Sequence, residues 1–282
     1  MRIPPVIVNN LEDKFESVLF LPKNSERKAE GGLRTQGYFK HTQTDKPLIS
    51  VITVVFNGEQ YLEQTINSVI GQTYDNVEYI IIDGGSTDGT LDIIRRYEGA
   101  IDYWVSEGDE GIYDAMNKGI SVAQGRWLFF LGADDYVCSN EIFSLISSDI
   151  KSEVMLFYGN IKYSSGNFFN SSIGFKTNFI NTCHHQSSFY NSYLFRFFRY
   201  NTEYKIVSDY ELNYFIFNKK IKKQKVNEII AICSDKGISH LGDTINDYFD
   251  MFKIRSNYIS AALNIFFLFV GMINFYRRKI NP

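Results

Sequence analysis

The sequence predicts an α/β fold in which a Rossmann-like, mostly parallel sheet is flanked by helices and followed by a C-terminal helical tail. Two observations carry this prediction. Nearly continuous apolar runs rich in β-branched residues, such as "LISVITVVF" at 48–56, are typical of parallel strands that are buried on both faces. Segments with apolar residues at helical spacing separate these runs, and this alternation indicates a parallel sheet covered by helices.

The first half of the chain contains four predicted strands with helices between them. The helix after the first strand ends at Gly71, and its apolar side chains share one face: Leu62, Ile66, Val69 and Ile70. The other elements are the strand "VEYIIID" (77–83), the helix "LDIIRRYEG" (91–99), the strand "IDYWVSE" (101–107), the helix "GIYDAMNKGISVAQG" (111–125) and the strand "RWLFFL" (126–131).

Composition excludes several classes of protein. The chain has 282 residues, of which 44% are hydrophobic, so it is not intrinsically disordered as a whole. The net charge of −3 gives no reason to expect a nucleic-acid partner. Cys138, Cys183 and Cys233 form no C-x-x-C pair, which argues against zinc or a redox disulfide and favours the cytoplasm. The N-terminus "MRIPPVIVNN" does not resemble a secretory signal.

We predict three segments along the chain. Residues 1–46 are poorly patterned and are interpreted as an N-terminal extension. The α/β domain covers residues 47–240, with one half at 47–146 and a second half at 147–240. A helical tail at 241–282 completes the chain.

The tail contains a mostly apolar stretch, "YISAALNIFFLFVGMINFY" at 258–276, which is followed by Arg277, Arg278 and Lys279. Three interpretations stay open: a helix in the membrane interface, a helix packed on the domain, and a membrane span. Asn264 and Asn274 weaken the third, whereas aromatic ends and a basic flank suit the first.

Acidic side chains follow the predicted strands where the carboxyl ends of parallel strands meet. These are Asp83, Glu107, Asp109, Asp134 and Asp135. Several carboxylates in one crevice suggest a divalent cation with a polyhydroxyl or phosphate ligand. The alternative is that each aspartate merely caps a helix or a turn.

Two sequence blocks then resemble a known family. "ISVITVVFNGEQYLEQTINSVIGQTYDNVEYIIIDGGSTDGT" and "DEGIYDAMNKGISVAQGRWLFFLGADD" are similar to the nucleotide-sugar domain of family-2 glycosyltransferases, which have the GT-A fold. The likeness covers about residues 48–146. Beyond it, "HHQSSFY" (184–190) and "IVSDYELNYFI" (206–216) resemble the acceptor-side motifs of that family.

The resemblance implies an activity and a setting. A sugar would move from a nucleoside diphosphate donor, with UDP-sugars favoured, to a saccharide or lipid-linked saccharide, with inversion. Cell-surface polysaccharide biosynthesis (O-antigen, capsule or exopolysaccharide) would be the setting, in the cytoplasm or at the inner face of the cell membrane. Mg²⁺ or Mn²⁺ would be the cofactor.

The resemblance also implies roles for individual residues. Asp209 matches the catalytic base, although as a sequence feature it could equally cap a helix. His185 and Gln186 would contact the acceptor or the diphosphate. Donor-binding residues would be Thr53, Val55, Asn57, Asp83, Asp109, Tyr113, Asn117 and Asp134. Asp134 matches the usual metal ligand of the family, and Asp135 stands next to it as a second candidate. His240 in "KGISH" is a further candidate ligand to metal or phosphate, although a lone histidine more often has a structural role. Gly132 departs from the family, which usually has an aspartate there.

Two other functions use a similar sheet edge. A nucleotidyltransferase that makes activated sugars would need a glycine-rich, basic loop after the first strand, but "FNGEQ" is acidic. A non-catalytic nucleotide- or carbohydrate-binding module is favoured by Gly132 and opposed by the presence of Asp134, Asp135 and Asp209 together.

Overall fold

The computed structural model describes residues 17–151, 153–235 and 244–280, which form one mixed sheet with helices on both faces. The strands are β1 Ala29–Gly31, β2 Ile49–Val55, β3 Val77–Asp83, β4 Tyr103–Ser106, β5 Trp127–Gly132, β6 Tyr136–Val137, β7 Leu156–Tyr163, β8 Phe168–Phe169, β9 Ser188–Asn191 and β10 Lys223–Cys233. The α-helices are α1 Leu62–Ile70, α2 Thr90–Arg96, α3 Ile112–Val122, α4 Ile142–Asp149, α5 Ser208–Asn218, α6 Ile245–Arg255 and α7 Ala261–Ile280.

The four strands predicted before residue 132 are confirmed as β2 to β5. They pair in parallel in the order β4-β3-β2-β5, so β2 lies between β3 and β5. Alternate side chains of β2 enter different cores: Val51 packs on the face that α1 covers, and Ile52 packs on the face that α3 covers. Burial on both faces explains the continuous apolar run of the sequence.

The second half of the chain extends the same sheet mainly by antiparallel pairing. β9 pairs antiparallel with β5, and β7 pairs antiparallel with β9. β10 runs parallel to β7 and pairs antiparallel with β6 at the far edge, while β8 pairs antiparallel with β7. The two halves therefore share one sheet, which sets their positions relative to each other.

Part of the predicted N-terminal extension belongs to this sheet. β1 pairs antiparallel with β4, with Ala29 opposite Ser106. Arg34 is buried and forms an ion pair with the buried Glu78 of β3. The prediction that the packed domain begins at residue 47 is therefore wrong, because this stretch completes a sheet edge and neutralises a buried charge.

We expect Arg34→Met to lower the free energy of unfolding by about 3–5 kcal/mol, because it leaves the carboxylate of Glu78 buried without its cation. The measurement is urea unfolding followed by far-UV circular dichroism. Arg95→Met is the matched control: it removes an exposed ion pair with Asp92 and should change stability by less than about 1 kcal/mol. Equal stabilities of the two variants would contradict a structural role for Arg34.

The C-terminal tail packs against the second half of the domain. Arg255 of α6 is buried, donating from Nη1 to the Tyr210 hydroxyl at 3.3 Å and from Nε to Asn264 Oδ1 at 2.9 Å. One face of α7 is buried, and it carries Asn264, Phe267, Gly271 and Phe275. The opposite face exposes Leu263, Ile265, Phe266, Phe269 and Ile273. Among the described residues, no helix has the length and apolarity that a membrane crossing requires.

Candidate active site

The loop after β3 is organised by Asp83, whose side chain is fully buried. Ser106 Oγ donates to Asp83 Oδ2 at 2.5 Å, and the Ser86 N–H donates to the same oxygen at 3.1 Å. Ser86 Oγ also donates to Asp83 Oδ1 and accepts from the Asn57 N–H at 2.7 Å. Asp83, expected to contact the base or ribose, thus holds the loop that follows β2 and the loop that follows β3 together.

Asn57 and Asp109 line this loop region. Asn57 is exposed and adopts a left-handed φ of +51°, and its Oδ1 accepts from the Thr87 N–H at 2.9 Å. Asp109 is half-buried beside Gly84, accepts from the Gly111 N–H at 2.8 Å, and burial raises its pKa. The donor contacts predicted for both residues stay predictions.

Three residues predicted to bind the donor are committed to internal structure. Thr53 is fully buried, and its hydroxyl lies 3.2 Å from the Tyr79 hydroxyl. Val55 is also buried and accepts the Gly84 N–H through its carbonyl oxygen at 2.9 Å. Asn117 holds the backbone of Tyr200 with two hydrogen bonds, of 2.8 and 3.0 Å. In this structure all three residues are held by contacts within the protein.

The turn after β5 presents one carboxylate and buries the other. Asp134 is half-exposed and makes no hydrogen bond or ion pair with a described residue. Asp135 is buried: its Oδ2 accepts from Gln186 Nε2 at 2.9 Å and its Oδ1 accepts from the Ser234 N–H at 2.9 Å. Burial and the neighbouring charge of Asp134 raise the pKa of Asp135.

Gly132 is required by this arrangement. A Cβ atom at position 132 would lie 2.7 Å from Asp135 Oδ2 and 3.2 Å from Asp134 Oδ1. The buried carboxylate of Asp135 therefore occupies the space that an aspartate at position 132 would need. This packing is a physical reason for the departure from the family pattern.

The donor set fits a hard cation that keeps several waters. No group of three or more potential metal-ligating side chains occurs among residues 17–151, 153–235 and 244–280. Mg²⁺ commonly binds through one or two carboxylates plus substrate phosphates, and Asp134 would be the protein ligand of such an ion. Asp135 is already bonded at both oxygens, and His240 lies outside the described residues.

Residues 185–187 form a short 3-10 helix that joins the Asp135 turn to Asp209. Gln186 reaches Asp135, as described above. The neighbouring His185 places Nδ1 3.8 Å from Asp209 Oδ2, and this buried nitrogen has no hydrogen-bond partner among the described residues. Gln186 Oε1 is also buried and has no partner in the described part of the chain. These two polar atoms beside two carboxylates are therefore candidates to bond a polar ligand.

Asp209 lies in the first turn of α5 and is mostly buried. Its Oδ1 accepts from the Tyr210 N–H at 2.8 Å, and its Oδ2 accepts from Asn181 Nδ2 at 2.8 Å. The Tyr113 hydroxyl donates to the Ile206 carbonyl at 2.5 Å and lies 3.4 Å from Asp209 Oδ1. Tyr113, predicted to bind the donor, therefore contacts the predicted base.

Glu211 is the other candidate base on α5, and its position argues against that role. Burial raises its pKa to about 7, but the side chain is 1% exposed. The titratable side chains whose pKa values its charge raises are Tyr204 and Tyr258, not the groups around Asp209. Two residues along a helix are about 200° apart around its axis, so Glu211 and Asp209 point in different directions.

Glu211 should make stability depend on pH. In the folded state the pKa of Glu211 is about 7, above the ordinary value of 4.5, so folding favours the protonated form. The stability that this protonation contributes is therefore lost as pH rises from 4.5 through 7. Between pH 4 and pH 8, we expect the free energy of unfolding of Glu211→Gln to rise by about 3 kcal/mol relative to that of the wild type. The test is urea unfolding at both pH values. A wild-type-to-variant difference that is the same at pH 4 and pH 8 would contradict it.

Several residues of the site were not predicted from the sequence. Ser106, Asn181 and Ser234 bond the predicted carboxylates directly, and Asn213 bonds Asn181. Ser and Asn are common in loops, so only spatial proximity to Asp83, Asp135 and Asp209 distinguishes them. Glu107, another strand-end carboxylate, is paired with Arg27 at 2.8 Å and with Lys118 at 3.4 Å.

The geometry can now be compared with known proteins. A profile described as "Glycosyl transferase family 2" matches residues 50–224, which is more than half of the chain. The chain belongs to glycosyltransferase family 2. Family membership makes this protein an enzyme of the glycosyltransferase class, and the matched range contains Asp83, Asp134, Asp135 and Asp209.

Related sequences agree with this assignment. A PGL/p-HBAD biosynthesis glycosyltransferase of Mycobacterium bovis BCG is 31% identical over 214 residues, which cover 71% of this chain and 81% of the relative. An uncharacterized glycosyltransferase of Haemophilus influenzae is 32% identical over 120 residues, or 42% of this chain and 48% of that protein.

Solved structures show the same GT-A fold. S. aureus TarS in complex with UDP-GlcNAc gives a TM-score of 0.64 at 16% identity, covering 80% of this chain and 71% of TarS. The mannosyltransferase PcManGT of Pyrobaculum calidifontis, in complex with GDP-Man and Mn²⁺, gives 0.59 at 18% identity, covering 76% and 64% of the two chains. The predicted GT-A fold is confirmed.

Proposed function

We propose that this glycosyltransferase moves a sugar from a nucleoside diphosphate sugar to a hydroxyl of a saccharide or lipid-linked saccharide, with inversion at the anomeric carbon. One observation carries the proposal. The adjacent residues His185 and Gln186 contact the predicted base Asp209 and the buried Asp135 beside Asp134, so the predicted base and the turn that bears the predicted metal ligand are neighbours. An inverting transfer needs a base on the acceptor side and charge stabilisation at the leaving diphosphate.

Each residue then has a chemical task. Asp209 accepts the proton of the acceptor hydroxyl as that oxygen attacks the anomeric carbon opposite the leaving diphosphate. His185 Nδ1 lies 3.8 Å from Asp209 Oδ2 and orients the acceptor hydroxyl or a diphosphate oxygen. A Mg²⁺ or Mn²⁺ ion held by Asp134 would supply positive charge beside the diphosphate. Asn57 and Asp109 contact the nucleoside side of the donor.

The comparisons support the donor class. TarS is solved with UDP-GlcNAc and PcManGT with GDP-Man and Mn²⁺, which favours a nucleotide sugar and a divalent ion for this chain also. We favour a UDP-sugar. The likeness to a PGL/p-HBAD biosynthesis enzyme supports a role in cell-surface glycoconjugate or polysaccharide biosynthesis.

Nucleotidyl transfer is the second candidate, and the loop after β2 argues against it. Glu59 Oε2 accepts the Gly89 N–H at 2.6 Å, which places an acidic side chain where a triphosphate would need donors and cations. The deciding experiment incubates the protein with a panel of nucleoside diphosphate sugars and Mn²⁺. Release of nucleoside diphosphate supports the proposal, whereas pyrophosphate release from nucleoside triphosphate and sugar phosphate overturns it.

We propose that the exposed face of α7 holds the enzyme peripherally on the inner face of the cell membrane, where a lipid-linked acceptor would lie. Phe266 and Phe269 are 53% and 65% exposed, so this face leaves large apolar side chains in water. The chain has no acidic residue after Asp250, and Arg277, Arg278 and Lys279 follow the apolar stretch. Apolar side chains with a basic flank fit an anionic lipid surface.

We expect the wild type to float with vesicles of anionic phospholipid in a density gradient. Phe266→Ser combined with Phe269→Ser should reduce the bound fraction about tenfold or more, since two aromatic side chains lose their contact with lipid. Tyr38→Ser combined with Phe39→Ser is the control, because these exposed aromatics lie before β2. Flotation equal to wild type in the α7 variant, or self-association through this face, would overturn the proposal.

A further inference from the structure

Three polar side chains form a directed chain of hydrogen bonds that ends at Asp209. Asn213 Nδ2 donates to Asn181 Oδ1 at 2.8 Å and to the Cys183 carbonyl at 2.7 Å. Asn181 Nδ2 in turn donates to Asp209 Oδ2 at 2.8 Å. Asn213 is fully buried on α5, four residues after Asp209 and therefore on the same side of the helix.

The order of the hydrogen bonds fixes the direction of the Asn181 amide. Its oxygen accepts from Asn213, so its NH₂ group must face Asp209. The reverse orientation would place an amide oxygen against a carboxylate oxygen and the NH₂ group against that of Asn213, with repulsion at both ends. The Asn213 side chain, which bonds Asn181 and the Cys183 carbonyl and not the Asp209 carboxylate, thereby controls which group meets that carboxylate.

We propose that Asn181 and Asn213 form a positioning relay that orients the Asp209 carboxylate for proton abstraction; this inference rests on the proposed function of Asp209 as the base. The Asn181 bond and the Tyr210 N–H hold one site on each carboxylate oxygen. His185 Nδ1 is 3.8 Å from Oδ2, too far for a direct hydrogen bond, so the ring does not take the remaining acceptor site of that oxygen.

The relay also affects the charge of the base. Donated hydrogen bonds favour the ionised form of a carboxylate, which burial disfavours. The described titratable groups that face Asp209 are His185, Tyr113, Cys183, Tyr190 and Tyr200. Of these side-chain types, only histidine ordinarily changes its charge between pH 5 and 8.

The test measures the pH dependence of transfer with saturating donor. We expect Asn181→Ala to lower kcat by about 10- to 100-fold, to leave the KM for the donor within about twofold, and to move the acidic limb of the profile to higher pH. Asn213→Ala should shift the limb in the same direction by a smaller amount. Asn181→Asp should shift it most, because a second carboxylate then faces Asp209.

Two controls separate positioning from folding and from His185. Asn76→Ala removes another buried amide, which donates to the His41 and Lys46 carbonyls far from α5, and should lower stability without moving the profile. The shifts should persist in a His185→Gln background. If Asn181→Ala fails to fold, Asn181→Ser replaces it as the test variant, because a serine side chain is too short to reach Asp209.

An unmoved acidic limb in Asn181→Ala or Asn181→Ser, with any loss of rate matched by a loss of folded protein, overturns the relay. Failure of the proposed function would look different. In that case Asp209→Asn itself would retain transfer, whereas failure of the relay alone leaves Asp209→Asn inactive and the asparagine variants with a wild-type profile.

Discussion

Asp209→Asn is expected to reduce sugar transfer by about 10²- to 10⁴-fold while donor and metal affinity change little. Asparagine keeps the size of the side chain and can accept from the Tyr210 N–H, but it cannot take a proton from the acceptor. The measurement is initial rates of product formation together with donor binding by calorimetry. Because the residue lies in the first turn of α5, a small loss of stability is also expected.

Glu211→Gln is the matched control, since it removes a carboxylate from the same helix. It should leave transfer within about twofold of the wild type at pH 7, because Glu211 is buried away from the groups around Asp209. Loss of transfer in Glu211→Gln with activity kept in Asp209→Asn would reverse the assignment. Donor binding that weakens in proportion to rate would make Asp209 a donor contact instead of the base.

Asp134→Ala is expected to abolish metal-dependent donor binding and to lower turnover by about 10²-fold or more, by analogy with the loss of an electrostatic stabiliser. The fold should remain intact, because Asp134 makes no hydrogen bond with a described residue. Thermal shift with UDP and Mn²⁺ measures binding, and the melting temperature without ligand measures stability. Unchanged turnover with Mn²⁺ still required would exclude Asp134 as the metal ligand.

Asp135→Ala provides the opposite pattern within the same turn. It removes the acceptor of Gln186 Nε2 and of the Ser234 N–H, so we expect a lower melting temperature even without donor or metal. If the two alanine variants lose stability equally, the distinction between an exposed and a buried carboxylate is wrong. The two variants thus separate the loss of metal binding from the loss of the hydrogen bonds that Asp135 makes with Gln186 and Ser234.

The sequence determined the first half of the fold because its pattern is local. Strands buried on both faces need continuous apolar runs, and the alternation with helices leaves only parallel pairing for β2, β3, β4 and β5. The carboxyl ends of these strands then meet, so placing Asp83, Asp109 and Asp134 at one edge needed no structure. The second half pairs mainly antiparallel through strands of 2 to 11 residues, and its pattern gave no such guide.

The tertiary structure decided which side chains face the crevice. Thr53 and Asn117 carry polar groups in the right segments, yet Thr53 bonds to Tyr79 and Asn117 to the Tyr200 backbone. β1 was unrecognisable because a three-residue edge strand has too few residues to show a period. Its pairing depends on partners in β4, and the burial of Arg34 after it depends on the distant Glu78.

The surroundings of Asp209 were also decided only by folding. Asn181 is 28 residues away and Tyr113 is 96 residues away in the chain, and neither type of residue is distinctive in a loop or a helix. Local sequence sets the backbone period and the ends of helices and strands, so it can place Asp209 at a helix start. Which donors meet that carboxylate is set by long-range packing, because a buried polar group is stabilised only by partners that the whole fold brings within hydrogen-bond distance.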